Sequence, residues 1–388
     1  MRPHTDPARY APAGLRGRAS LLAAMLLLSA CNYKPHSVGQ EDVLIILVSD
    51  EDRLLLQPLL MNIFDREMAT PSGEPYFKVK IVPPDEFDTY RKYHNLIVAA
   101  VVNPVDSTGD VLVRGVLGQQ RSSDAEAGGN PIFIIHDLFA KGQILMGLLA
   151  LDAIHAHTEL ERLGDWIFDQ FETQLRQRQK TFVFRYGEHE DLSDSLEAEY
   201  GFRIRLEPDY LRIKDRPEDQ FVWLGRGYPY RWLSVHWLEG ADTVKIDRQW
   251  AWLRMEHIAG NLYRDIYIDS LFRSEALGIE NGHTIFMLKG VWGHKLITAG
   301  GPFITYIFRD REQNRVYLIS GLVFHPSGSK GLLIKRQEVM MRTFHTFSQP
   351  PGKGVGPQNL TRMIRNQGRE PVAVAGISGS GSGSGRGQ

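Results

Sequence analysis

"GPFITYIFRDREQNRVYLISGLVF", Gly301 to Phe324, is two apolar runs of strand length joined by a polar loop. "PFITYIFRD" and "NRVYLISGLVF" are rich in β-branched and aromatic residues, and "DREQNR" between them reads as a hairpin connection. With "TIFMLKGVWG" just upstream, the stretch predicts an antiparallel meander. "FRIRLEPDYLRIKD" and "QFVWLGRGYPYRWLSVHWLEG" add short alternating strands before it. "IDRQWAWLRMEHIAGNLY" reads as helical, with Trp250, Met255 and Ile258 facing inward. "GLLIKRQEVMMRTFHTF" closes this part as another helix.

The first half has a different rhythm. "VLIILV" (43–48), "FKVKIV" (77–82), "LIVAAVV" (96–102) and "ILMGLLAL" (144–151) are compact apolar runs that read as strands. "DVLVRGVL" (110–117) reads as a weaker strand. Helical segments fall between them. Ser49 or Asp50 can cap a helix over the next 20 residues, with Pro58 predicting a kink or restart. "PPDEFDTYRKYHN" predicts a short helix. Thr158 and Glu161 have the spacing of a capping box, and Leu160, Leu163, Ile167, Phe171 and Leu175 then mark one buried helical stripe ending near Gln179.

The predicted class is therefore α+β: two α/β-type halves, the second with an antiparallel meander sheet packed by helices, and a disordered C-terminal tail. The expected organisation is a signal peptide over 1–30, a lipidated tether over 31–42, an N-terminal α/β domain over 43–180 and a C-terminal α+β domain over 181–348. A Gly/Ser/Pro-rich basic tail occupies 349–388. Each half ends in a long helix after strands, a hint of internal duplication.

The chain has 388 residues and one cysteine, Cys31. Arg2, Arg9, Arg16 and Arg18 precede the apolar run Leu21–Leu28, and Ser29 and Ala30 lead into Cys31. A basic start, a short apolar run and small residues form a secretory signal. "LSAC" resembles the bacterial lipobox, which implies that Cys31 carries lipid and becomes the first mature residue. Asn32, where some bacteria place a retaining Asp, points to the outer membrane. About ten tether residues reach at most ~35 Å. Composition is ordinary, 43% hydrophobic and 23% charged, and the formal net charge of −1 lacks the basic footprint of a nucleic-acid binder. With no second cysteine, an exported chain depends on core burial and not on intramolecular disulfides.

No catalytic motif, metal set or cofactor fingerprint emerges. "GEHEDLSD" (187–194) holds metal-ligand residue types but sits where acids suit a helix N-terminus. His155 and His157 read as part of a loop before Thr158, with no third ligand near in sequence. Six of seven tryptophans fall between Trp223 and Trp292. Most read as core. Trp292, beside Gly290, Gly293 and the Gly300-Gly301-Pro302-Phe303 turn, is the candidate ligand or partner corner, because glycines permit a close backbone approach.

Several landmarks are shared with a known family. "DLFAKGQ" (137–143), "YGFRIRLEPDYLRIKD" with "FVWLGRG", "LKGVWG", "AGGPFITYIFRD" and "SGLVFHPSGSKGLLIKRQEVMMRTF" resemble the signatures of the lipoproteins of domain-of-unknown-function family 4837. Lys289, Ala299 and Ser320 stand where that family tends to have Arg, Met and Glu. The resemblance implies an envelope lipoprotein and brings no established activity, substrate or cofactor. The expected function is a membrane-anchored envelope lipoprotein working as a non-catalytic interaction or assembly module. It would contact membrane lipid through Cys31 and an envelope protein partner, with no nucleic acid. The alternative is a small-ligand or glycan-binding, even hydrolytic, lipoprotein using Trp292, Gly300, Gly301 and Phe303.

Overall fold

The computed structural model describes residues 34–102 and 107–347. The signal peptide, Cys31 and the tail over 349–388 lie outside the described residues.

The N-terminal sheet grows from the apolar runs. β1 (Val43–Leu47), β2 (Lys78–Val82), β3 (Asn95–Val101), β4 (Ile132–His136) and β5 (Ile144–Ala150) lie in the order β2-β1-β3-β5-β4. All pairings are parallel except β4 with β5. Strands covered on both faces need no alternation, which is why β3 and β5 read as unbroken apolar runs. The covering helices are α1 (Asp50–Phe64), α2 (Phe87–Tyr90), α3 (Ser107–Leu117), α4 (Gln119–Glu126) and α5 (Ala153–Val183).

Ser49 caps α1, its side chain accepting from the Asp52 amide at 3.3 Å. Pro58 neither ends nor restarts α1, which runs through it as one helix. Two expectations are corrected. "DVLVRGVL" belongs to α3, where Gly109, Val113 and Leu117 form one buried stripe at four-residue spacing. The Thr158 cap does not form either. α5 starts earlier, with Asp152 accepting from the His155 amide at 2.8 Å, and the Thr158 hydroxyl donates to the Ile154 carbonyl inside the helix. Leu56, Leu60, Ile63 and Phe64 of α1 pack with Leu160, Ile167, Phe168 and Phe171 of α5.

The C-terminal layer contains α6 (Glu190–Tyr200), β6 (Phe202–Arg203), β7 (Leu211–Arg216), β8 (Phe221–Arg226) and β9 (Tyr230–Glu239). α7 (Arg248–His257) follows and continues as a π-helical stretch, Ile258–Arg264. Then come β10 (Ile266–Glu280), β11 (His283–His294), β12 (Gly300–Asp310), β13 (Arg315–Phe324), α8 (Gly331–Met341) and β14 (His345–Thr346). The meander is present as an all-antiparallel seven-stranded sheet, β10-β11-β12-β13-β9-β8-β7. One face packs Leu196 of α6 and Val339 and Met340 of α8 against Val235, Tyr306, Tyr317 and Ile319. The other packs Trp252, Met255, Ile258 and Tyr263 against Leu288, Trp292, Phe303 and Leu318. The chain is mixed α+β. A mainly parallel sheet beside an antiparallel one does not make a repeated fold, so the duplication hint stops at element order.

α8 is shared between the two layers. The Glu74 carboxylate accepts from the Lys330 and Gly331 amides, each at 2.8 Å, which satisfies donors left open at the helix start. Further along, Lys335 and Arg336 reach α5. No helix among the described residues is long and apolar enough to cross a membrane.

Candidate functional site

At one end of the seven-stranded sheet two hairpin tips diverge and leave a groove of about 890 Å³. The β10–β11 tip turns through Asn281 and Gly282, both with positive φ (49° and 81°), as a tight two-residue hairpin requires. The Asn281 side-chain amide donates to the carbonyls of Arg342 and Phe344, each at 3.0 Å. The end of α8 is thereby pinned to the hairpin. The opposite tip is ordered by Asp310, which accepts from the amides of Glu312 at 2.9 Å and Gln313 at 3.1 Å.

Between the tips, Ile285, Phe308, Met341 and Phe344 contribute apolar lining. The His283 ring lies against Phe308 at a 38° tilt, with centroids 4.9 Å apart. Lys245, Arg309, Arg311, Glu312 and His345 supply charged and polar lining. Leu277 lines the groove, and with Ile279 it leaves the β10 edge 73% and 79% exposed. An apolar centre within a polar rim is the anatomy of a binding surface.

Behind the groove lies an ionic network that sequence reading did not find. The Tyr306 hydroxyl donates to Glu338 at 2.6 Å, and Arg342 donates to the same oxygen at 2.8 Å. Arg342 also pairs with Glu280, and Lys335 lies 3.8 Å from Glu172. Burial by itself would raise the Glu338 pKa, but Lys289, Arg342 and Lys335 and the Tyr306 hydrogen bond hold it down to about 2. Burial pushes Lys335 down to about 8, against the pull of Glu172 and Glu338. Burial, reinforced by Glu338, raises Tyr306 well above the ordinary tyrosine range.

The Trp292 corner is packed, not open. Trp292 is 1% exposed, as is Phe303. The Trp292 indole donates to the Val323 carbonyl at 3.3 Å and lies 5.3 Å from the Trp232 ring. The close approach expected of the glycines is real, but it serves the core. A Cβ on Gly301 would sit 1.9 Å from the Val323 carbonyl oxygen. Trp292, Gly301 and Phe303 are therefore buried in the core, with Gly300 half-buried beside them. Trp237 is buried on one face of the sheet, Trp252 on the other, and Trp223, Trp232 and Trp250 pack against that second core. Ser320 is buried and bonded to Thr305 at 2.9 Å.

In "GEHEDLSD", Glu188 pairs with Arg205, Asp194 pairs with Arg203, and His189 caps α6 by accepting from the Leu192 amide at 3.3 Å. His155 and His157 lie in the first turns of α5, not in a loop. Two residues apart on a helix, they point in different directions. No group of three or more His, Cys, Asp and Glu side chains among the described residues could hold a metal ion.

Comparison with known proteins bears on the layer that carries the groove. Residues 189–343 match the family model described as Domain of unknown function (DUF4837). That segment is similar to the family. The match spans α6 to the end of α8 and leaves out the "DLFAKGQ" segment (137–143) that also entered the resemblance. No curated protein matches the chain. Among solved structures, the chain is similar to the Ran-binding protein Mog1p of Saccharomyces cerevisiae, at 14% identity and a TM-score of 0.27. That likeness covers 38% of this chain and 90% of the other. A structure from Bacteroides thetaiotaomicron VPI-5482 has 11% identity and a TM-score of 0.27, over 42% of this chain and 54% of that one. Neither likeness carries an argument about function. The matched segment supplies most of the groove lining, the buried tryptophans, and the Tyr306, Glu338 and Arg342 side of the ionic network.

Proposed function

We propose that the chain is a membrane-anchored cell-envelope lipoprotein acting as a non-catalytic interaction or assembly module. Lipidated Cys31 would hold it at the outer membrane facing the periplasm, and the groove of the C-terminal layer would meet an envelope protein. The observation that carries this reading is the groove itself. It combines apolar side chains, a charged rim and an adjacent strand edge whose Leu277 and Ile279 stand in solvent. Contiguous exposed apolar side chains rimmed by polar ones mark interaction surfaces.

The anchor and the groove are tested separately. Cys31→Ala is expected to move the protein from the membrane to the soluble fraction while its circular dichroism stays unchanged, since about 0.8 kcal/mol per buried CH₂ is lost with the acyl chains. Retention at the membrane would sink the anchor reading. For the groove, a chemical-crosslinking pull-down from envelope membranes should recover the same partner repeatedly with the native chain. Leu277→Asp changes an exposed side chain and leaves the core alone, and it should lose that partner. Equal recovery by both chains would rule the groove out.

A further inference from the structure

A second feature lies in the seam between the two layers, away from the groove. Arg178 of α5, Arg185 just past its end and Arg336 of α8 all act on one half-buried carboxylate, Glu41. Arg185 and Arg336 each lie over the Phe182 ring, Cζ 3.8 Å from its centroid. Arg336 donates to the Gln179 side-chain oxygen at 3.0 Å. Arg178 donates to the Gly142 carbonyl at 3.0 Å, the Glu41 carbonyl at 3.3 Å and the Asn95 side chain at 2.7 Å.

Those acceptors are all neutral. No carboxylate among the described residues comes within ion-pair distance of Arg178, Arg185 or Arg336. Arginines elsewhere in the C-terminal layer contrast with this: Arg203, Arg205, Arg212, Arg226, Arg231, Arg315 and Arg342 each pair with an acid. The second acid of the seam, Asp42, is engaged with Lys78 at 2.7 Å. Three guanidiniums thus act on one carboxylate, which leaves the seam with an excess of positive charge. Burial raises Glu41 against the pull of Arg336 and Arg178, and burial lowers Arg178 to about 10 against the pull of Glu41.

We propose that this seam binds a phosphate group, carried either by a small soluble anion or by an anionic lipid headgroup. Guanidinium forks match tetrahedral oxyanions in shape and number of donors, and Arg185 is exposed, so a ligand can enter from solvent. The lipid source rests on the Cys31 anchor. Glu41 follows Cys31 by about ten residues, so the seam stays within ~35 Å of the attachment point. The phosphate chemistry stands without the anchor.

The test uses the full-length chain carrying Cys31→Ser, so that no acyl group contributes. Inorganic phosphate is titrated calorimetrically at constant ionic strength. Co-sedimentation is measured with phosphatidylglycerol vesicles and with phosphatidylcholine vesicles. Arg336→Gln and Arg185→Gln should each weaken binding about tenfold, the effect of losing one charge-assisted contact, and Arg203→Gln should leave it unchanged. Phosphate binding with no vesicle preference assigns a soluble anion. Arginine-dependent binding to phosphatidylglycerol vesicles assigns a headgroup. Absence of both, or binding indifferent to Arg336→Gln and Arg185→Gln, overturns the proposal. Because Arg185 is exposed, Arg185→Gln remains decisive even if Arg336→Gln disturbs α8.

Discussion

Replacing Glu338 by alanine is expected to lower the free energy of unfolding by about 3–5 kcal/mol, the usual effect of stranding buried charges. Glu338 is the carboxylate that Arg342 and Tyr306 bond directly and on which Lys289 and Lys335 act. Its removal leaves Lys335 with Glu172, at 3.8 Å, and the face of the Tyr76 ring. Adding Lys335→Met to Glu338→Leu should recover most of the loss, because an apolar pair of similar volume needs no counter-charge.

The pH dependence follows from the same contacts. Glu338 is held below its unfolded value, so its contribution is complete above about pH 4.5 and is lost as pH falls toward 2. Lys335 has the opposite history. Its folded pKa of about 8 lies below the unfolded 10.5, so keeping it charged in the fold costs stability at neutral pH. That cost is relieved as pH rises through 8 toward 10, and Lys335→Met should abolish the rise. Urea midpoints at constant m-value measure both effects. A Glu338→Ala chain as stable as the native one would show that the network is not coupled to folding.

Trp292→Ala should cost about 3–5 kcal/mol, the range for emptying a large aromatic site in a core. The indole fills space between Trp232 and Phe324 and satisfies the Val323 carbonyl. Gly301 is what lets β12 come close enough for that packing. Trp292→Phe retains most of the apolar contact and should cost less, mainly the hydrogen bond, about 1–2 kcal/mol. An exposed recognition platform would behave differently, since its truncation leaves stability nearly unchanged. A Trp292→Ala chain with native stability would reopen that reading.

Much of the fold could be read directly. Ser49 caps its helix, the apolar runs became strands, and the run from Gly301 to Phe324 became the β12–β13 hairpin. The misreadings have local causes. Val111, Val113 and Val116 favour a strand by side-chain preference, yet the four-residue stripe of Gly109, Val113 and Leu117 packs as a helix. Thr158 and Glu161 have cap spacing, but Asp152 had already opened the helix. β10 passed unnoticed because an edge strand is partly exposed on both faces and loses its alternation.

The site was hidden for another reason. Its lining comes from Lys245, Leu277, His283, Phe308, Arg311 and Phe344, which no spacing rule connects. Lys335, Glu338 and Arg342 recur at helical spacing and resemble a solvated face. Only α5 and β11–β12, lying over them, turn that face into a buried network.

Site-specific photo-crosslinking tests the interaction reading most directly. A photoreactive side chain would be placed at His345 or Leu277 in the groove, and at exposed Leu54 of α1 as a control. Irradiated envelope membranes should give one discrete adduct from both groove positions and none from Leu54. That adduct should disappear when Ile279→Asp is added. Adducts from Leu54 equal to those from the groove, or no groove adduct at all, would contradict a partner-binding role for this surface.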